Sequence, residues 1–262
     1  MEEPQRKSFQ SLKSRAILYM VCCIIVILLL TVLTGGSTVG GHLGILAGGL
    51  LAYKCYKTEE TEWHFRSCFH DFDWEAAAGF VLLEWSIGNL AMHLVGTVGA
   101  MISQGGGHLE GTHPSGTLLE LIGTVLIAPF GEELIFRQCG AGLLKKCAGK
   151  PMTYLLPAAL FAFAHLNFHV QALTQYLAAA MVYTVCYLYT GNVLNGMAVH
   201  AVHNLMCDLM LTEKHGARGY MMLKPISVVT NLVMLAAGTA WFILRFYPRY
   251  IKPKKEEMYA EL

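Results

Sequence analysis

The chain has 262 residues, of which 55% are hydrophobic and 14% charged, and its net charge is +1. A soluble domain carries nearer a quarter charged residues, so the composition describes a polytopic membrane protein. A charge so close to zero, with no basic surface interleaved with aromatics, gives no argument for a nucleic-acid partner.

The first apolar run, Ala16 to Leu33, follows Arg6, Lys7, Lys13 and Arg15. A secretory signal has an apolar core of about 7 to 15 residues and an A-x-A-like cleavage site. This run is longer and lacks that site, so it reads as a retained anchor. A membrane span needs about 20 predominantly apolar residues. On that rule helices are predicted near 16–33, 36–53, 76–102, 117–143, 152–167, 169–189, 193–211 and 225–247. The fold expected is an all-α, polytopic transmembrane helix bundle of eight spans. Seven is the alternative, because the fifth helix is short and the second is glycine-rich. Residues 1–262 form a single membrane domain with core helices over 117–211, flanked by 16–102 and 225–247.

Between the second and third helices, Trp63, Phe65, Phe69, Phe72 and Trp74 read as an interfacial aromatic belt. The stretch from Gly105 to Gly116 reads as an external loop. Its glycines follow no strand, so a phosphate cradle is unsupported. The eight cysteines (Cys22, Cys23, Cys55, Cys68, Cys139, Cys147, Cys186 and Cys207) are scattered. They suggest small apolar side chains and no disulfide or metal-binding framework.

With an even number of spans both termini lie on one side. That side collects fifteen Lys and Arg residues, against Lys214, Arg218 and Lys224 on the other, with Arg137 inside a span. The positive-inside rule then predicts cytosolic termini. The basic tail at Lys252, Lys254 and Lys255 reads as solvated.

Three polar clusters interrupt the apolar helices: Glu132-Glu133-Leu134-Ile135-Phe136-Arg137, Phe161 to His165, and His200 to Asn204. An ionisable residue at membrane depth costs roughly 2.5–3.5 kcal/mol on the insertion scale. Such residues therefore mark functional sites that face a protein interior. Glu133 and Arg137 are four apart, acid first, which suits an ion pair on one helical face. Glu132 is rotated by about 100° from that face. It is left without that partner and is the candidate for acid–base chemistry. Phe161 and His165 share a face, as do His200 and Asn204. Taken alone, the acid pair is equally well structural and a lone histidine is more often a packing residue; together they are far more specific. His203 reads as supporting or structural. His169 and Asn167 flank a helix junction. Glu84 and His93 read as packing or helix–helix hydrogen bonding, and Asp208 reaches His200 only if its helix bends.

E-E-x-x-x-R at 132–137, F-x-x-x-H at 161–165 and H-x-x-x-N at 200–204, in this order on successive helices, resemble the intramembrane CAAX-type prenyl endopeptidases and bacteriocin-processing enzymes of the CPBP or Abi family. The resemblance implies a peptidase. Glu132 and His165 would activate a water, His200 and Asn204 would stabilise the oxyanion, and Glu133, Arg137 and Phe161 would support them. It implies a peptide or prenylated-protein substrate and contact with membrane lipid. No cofactor is expected on the metal-free mechanism. The alternative is a zinc site of Glu132, His165 and His200 with an open position for water. Two other classes stand beside it: a catalytically silent immunity or scaffold protein of the same fold, and a proton-relaying transporter. The latter lacks the repeated halves and paired interrupted helices of transporters. One geometric difficulty remains. On the predicted boundaries Glu132 falls towards the inner half of its helix and His165 towards the outer end of its own.

Overall fold

The computed structural model describes residues 3–103, 117–210 and 225–253. The loop around 105–116, the residues Lys214, Arg218 and Lys224, and Lys254 and Lys255 lie outside the described residues. Among the described residues all regular structure is helical. The helices are α1 (Glu3–Leu33), α2 (Thr38–Glu59), α3 (Phe65–His70), α4 (Trp74–Ser103), α5 (118–147), α6 (Lys150–Ala164), α7 (Val170–Thr190), α8 (Val193–Met210) and α9 (225–251). Eight of them correspond to the eight predicted helices. The ninth, α3, lies in the stretch read as an aromatic belt.

Among the described residues, three helices are by themselves long and apolar enough to cross a membrane: Ser11–Leu33, Trp74–Val98 and Ser227–Ile251. Their outward faces, with Leu18, Val32, Leu94, Val233 and Leu244 exposed, suit contact with acyl chains. The polar clusters are carried on other helices, α5, α6 and α8. The bundle is an all-α membrane fold in which α4 packs on α7, α8 and α9, while α2 packs on α1 and α5. All eight cysteines are free, and Cys23, Cys68, Cys139 and Cys186 are buried among apolar side chains.

Helix α5 is the backbone of the site. Thr117 starts it with a capping box: its hydroxyl accepts from Glu120 N at 3.2 Å, and the Glu120 carboxylate accepts from Thr117 N at 3.1 Å. Two stretches, Gly123–Ile127 and Leu134–Ala141, are π-helical. The first lies just before Pro129, whose ring and missing N–H are incompatible with a regular α-helical ladder. Gly131 lets α5 meet α2 backbone to backbone. A Cβ there would stand 2.5 Å from the Ile45 carbonyl oxygen, and one on Gly49 would stand 2.5 Å from Gly131 Cα. Close approach through small residues is the usual way for membrane helices to gain contact. Here it holds α2 beside Glu132.

The short helix α3 is fastened to the start of α8. Asn192 Nδ2 donates to the Cys68 carbonyl at 2.8 Å. Asn195 Nδ2 donates to the Asp73 carbonyl at 2.7 Å, and its Oδ1 accepts from Asp73 N at 3.3 Å. Trp63 packs against Tyr53 and Tyr56, and Phe65 against Phe130 of α5. The aromatic stretch is therefore partly internal. Phe69 and Trp74 stay exposed, as interfacial anchors would.

Candidate active site

The observed boundaries differ from the predicted ones at both residues. Helix α5 continues to residue 147, which puts Glu132 near its middle, and α6 stops at Ala164, so that His165 is its C-terminal cap residue. Leu166, at φ 52°, turns the chain out of the helix. His165 Nδ1 donates to the Phe161 carbonyl at 2.8 Å. A carbonyl can only accept, so in the neutral ring Nε2 is left with its lone pair.

The predicted ion pair is present. Arg137 Nη1 lies 3.1 Å from Glu133 Oε1, with both side chains fully buried. Arg137 Nη2 also donates to the Ala180 carbonyl at 3.1 Å. Its guanidinium carbon sits 4.6 Å from the centroid of the Phe161 ring and 5.1 Å from that of Tyr183. Phe161 is thus more than a motif marker: it caps the buried cation. Its ring also borders both histidines, with centroids 4.7 Å from His165 and 5.7 Å from His200.

Glu133 has a second partner that the spacing did not reveal. His200 Nδ1 lies 3.0 Å from Glu133 Oε1, and on the other side of the same ring Nε2 lies 3.8 Å from Glu132 Oε2. So Glu132, expected to stand apart from the ion pair, does so but faces His200. Its Oε2 is buried and makes no hydrogen bond to protein, which leaves that oxygen available to a small polar ligand.

One turn further along α8, Asn204 Nδ2 donates to the Thr124 carbonyl at 2.8 Å. That carbonyl belongs to the first π-helical stretch, whose altered ladder makes a backbone acceptor available. Asn204 keeps one N–H beyond this bond. On the far side of Thr124, its hydroxyl lies 3.5 Å from His42 Nε2 of α2.

The remaining polar residues divide as follows. His203 Nδ1 bonds the Glu84 carboxylate at 2.8 Å, a helix–helix contact between α8 and α4. Asn167 Oδ1 accepts from His169 N at 3.2 Å, a local contact in the α6–α7 junction. Thr124, Tyr176 and Tyr183 were not anticipated as site residues. Thr124 acts through its backbone, which no side-chain pattern reveals. The tyrosines sit on a helix without a motif, where aromatics at helical spacing ordinarily mean core.

For the zinc alternative, Glu132 and His200 approach one another. However, among the described residues no three His, Cys, Asp or Glu side chains stand together at metal-ligand spacing. Glu132, His165 and His200 do not fit a three-ligand site as arranged here.

Beside the polar site runs an apolar cavity of about 520 Å³, lined by Phe72, Leu126, Pro129, Phe130, Met197 and Ala201 among others. Pro129 and Phe130 precede Glu132 by one turn or less, and Met197 and Ala201 flank His200 on α8. The cavity and the Glu132–His200 contact are thus built by the same two helices, with Phe69 and Phe72 closing in from the α3 region.

Fold and site together define an all-α membrane protein with a buried carboxylate–imidazole–amide constellation. Residues 114–206 match the family described as type II CAAX prenyl endopeptidase Rce1-like. The match supports the CPBP, or CAAX-protease, family to which the three motifs point, over the segment that holds all of them. Neither the curated proteins nor the solved structures give a match.

Proposed function

We propose that the protein is an intramembrane endopeptidase that hydrolyses a peptide bond near the lipid-modified C-terminus of a membrane-associated substrate. The observation that carries this reading is the approach of Glu132 to His200 at 3.8 Å, at the edge of an apolar cavity of about 520 Å³. Glu132 takes one proton from a water, His165 Nε2 accepts a hydrogen bond from the O–H that the water keeps, and the water oxygen attacks the scissile carbonyl. The resulting oxyanion accepts hydrogen bonds from His200 Nε2–H and from the remaining Asn204 N–H. Glu132 then returns its proton to the leaving amine as the C–N bond breaks. Because His200 Nδ1 donates to Glu133, donation through Nε2 requires the ring to carry both hydrogens. The isoprenoid of a prenylated tail occupies the apolar cavity, with the peptide leaving it towards Glu132.

Both termini face the cytosol in this reading. Arg15 of α1 pairs with Glu59 at 2.7 Å, Lys146 of α5 with Glu60, and Arg249 of α9 with Asp73 at 3.0 Å. These pairs join the start of α1 and the end of α9 to one connection, between α2 and α4. They support an even number of crossings, with the basic residues of the inner side gathered there.

The test is cleavage of a farnesylated C-terminal peptide, its unprenylated counterpart and a panel of peptide precursors by purified wild type and Glu132→Ala, with and without a chelator. Cleavage that is lost in Glu132→Ala and survives the chelator is the expected result. Equal processing by both proteins sinks the enzyme reading, and a chelator-sensitive activity restored by zinc transfers it to the metal mechanism.

A further inference from the structure

Helix α7 carries none of the three motifs, yet one stripe of it touches all of them. Tyr176 stacks on His165, with ring centroids 4.1 Å apart and planes at 25°. Tyr183 stacks on His200 at 4.7 Å and 20°. Between them, the Ala180 carbonyl accepts from Arg137 at 3.1 Å. Positions 176, 180 and 183 follow the i, i+4, i+7 spacing of a single helical face. Each contact reaches a different helix: α6 through His165, α5 through Arg137 and α8 through His200.

We infer that α7 is the template of the site, and that Tyr176 and Tyr183 are positioning residues setting the planes and separation of the two histidines. The inference rests on the peptidase reading for its kinetic consequence, though not for its geometry. Seven residues of helix separate the tyrosines by about 10.5 Å along one rigid axis. His165 needs such a reference because it is the C-terminal cap residue of α6 and its side-chain hydrogen bond goes to Phe161 of its own helix. His200 is tied through Nδ1 to Glu133, but one hydrogen bond leaves the ring free to rock about that axis. The face of Tyr183, itself 1% exposed, blocks that motion. Near-parallel stacking acts through the ring faces, and the Tyr183 hydroxyl makes no hydrogen bond to protein among the described residues, so the positioning is assigned to the phenyl rings.

The experiment compares Tyr176→Leu and Tyr183→Leu with Tyr176→Phe and Tyr183→Phe in the full chain in nanodiscs. The readouts are steady-state cleavage of the farnesylated peptide and NMR of ¹³Cε1-labelled histidine. The leucine variants should lower kcat by about tenfold to a hundredfold with KM little changed, since misplacing a reacting group by an ångström has that effect. The phenylalanine variants should recover most of the loss. The upfield displacement that a stacked ring imposes on the His165 and His200 Hε1 signals should vanish with leucine and persist with phenylalanine. Tyr176 is only partly buried, so it carries the test if Tyr183→Leu does not fold. Unchanged kcat in folded leucine variants, or equal losses with phenylalanine and leucine, overturns the inference. If wild type cleaves nothing while the NMR displacements respond as described, the peptidase reading falls and the template stands.

Discussion

His200 is held between two acidic neighbours in sequence: its Nδ1 lies 3.0 Å from Glu133 and its Nε2 lies 3.8 Å from Glu132. Successive residues on a helix point about 100° apart. A single imidazole can therefore meet both only by lying across α5 with its two nitrogens on opposite sides. This gives the paired glutamates distinct tasks. Glu133 is occupied by Arg137 and orients the histidine, while Glu132 retains a buried oxygen that makes no hydrogen bond to protein.

Arg137→Met is expected to destabilise the protein by about 3–5 kcal/mol, because it removes the cation paired with the fully buried Glu133 and leaves that carboxylate only its contact with His200. Thermal unfolding in detergent measures this. A melting temperature equal to that of wild type would mean that the ion pair contributes nothing to the fold.

Glu132→Gln keeps the shape of the site and removes its base, so kcat should fall by about 10²–10⁴ while the fold is unharmed. Asn204→Ala should lower kcat by about 10²–10³ as an oxyanion donor is lost. An Asn204→Ala enzyme with wild-type kcat and raised KM would assign that amide to substrate binding instead.

Ala198→Phe fills part of the apolar cavity without touching a polar site residue. Losing burial of two or three methylenes, at about 0.8 kcal/mol each, raises KM for the farnesylated peptide roughly 10- to 50-fold. The effect should shrink for a peptide bearing a shorter apolar chain. A KM indifferent to the added ring places the isoprenoid elsewhere.

Asp73, just outside the span that begins at Trp74, ties the α3 region to α9. Burial pushes its carboxyl up, but the Tyr250 hydroxyl, the Ala76 N–H and Arg249 outweigh it, and the net shift is downward from 3.8. A depressed carboxyl stabilises the fold fully above its unfolded value, near 3.9, and loses that contribution as pH falls through the folded value. Wild type should therefore lose stability below about pH 4 more steeply than Asp73→Asn. Parallel unfolding curves for the two proteins from pH 7 to pH 3 would deny Asp73 this part.

The sequence by itself determined the helical membrane class, eight of the nine helices among the described residues, and the Glu133–Arg137 pair. These follow from local rules: the length of apolar runs, the spacing of residues on one helical face, and the penalty for charge in lipid. Helix α3 escaped because six residues rich in aromatics carry no helical period long enough to read. Only the tertiary structure decided that His200 bridges both glutamates, that Asn204 is held by a backbone carbonyl freed in a π-helical turn, and that two tyrosines of a motif-free helix face the two histidines. Each of these joins residues on different helices. Periodicity tells which face of a helix looks inward, but the rotation and depth of its neighbours come from packing, at close approaches such as Gly49 against Gly131.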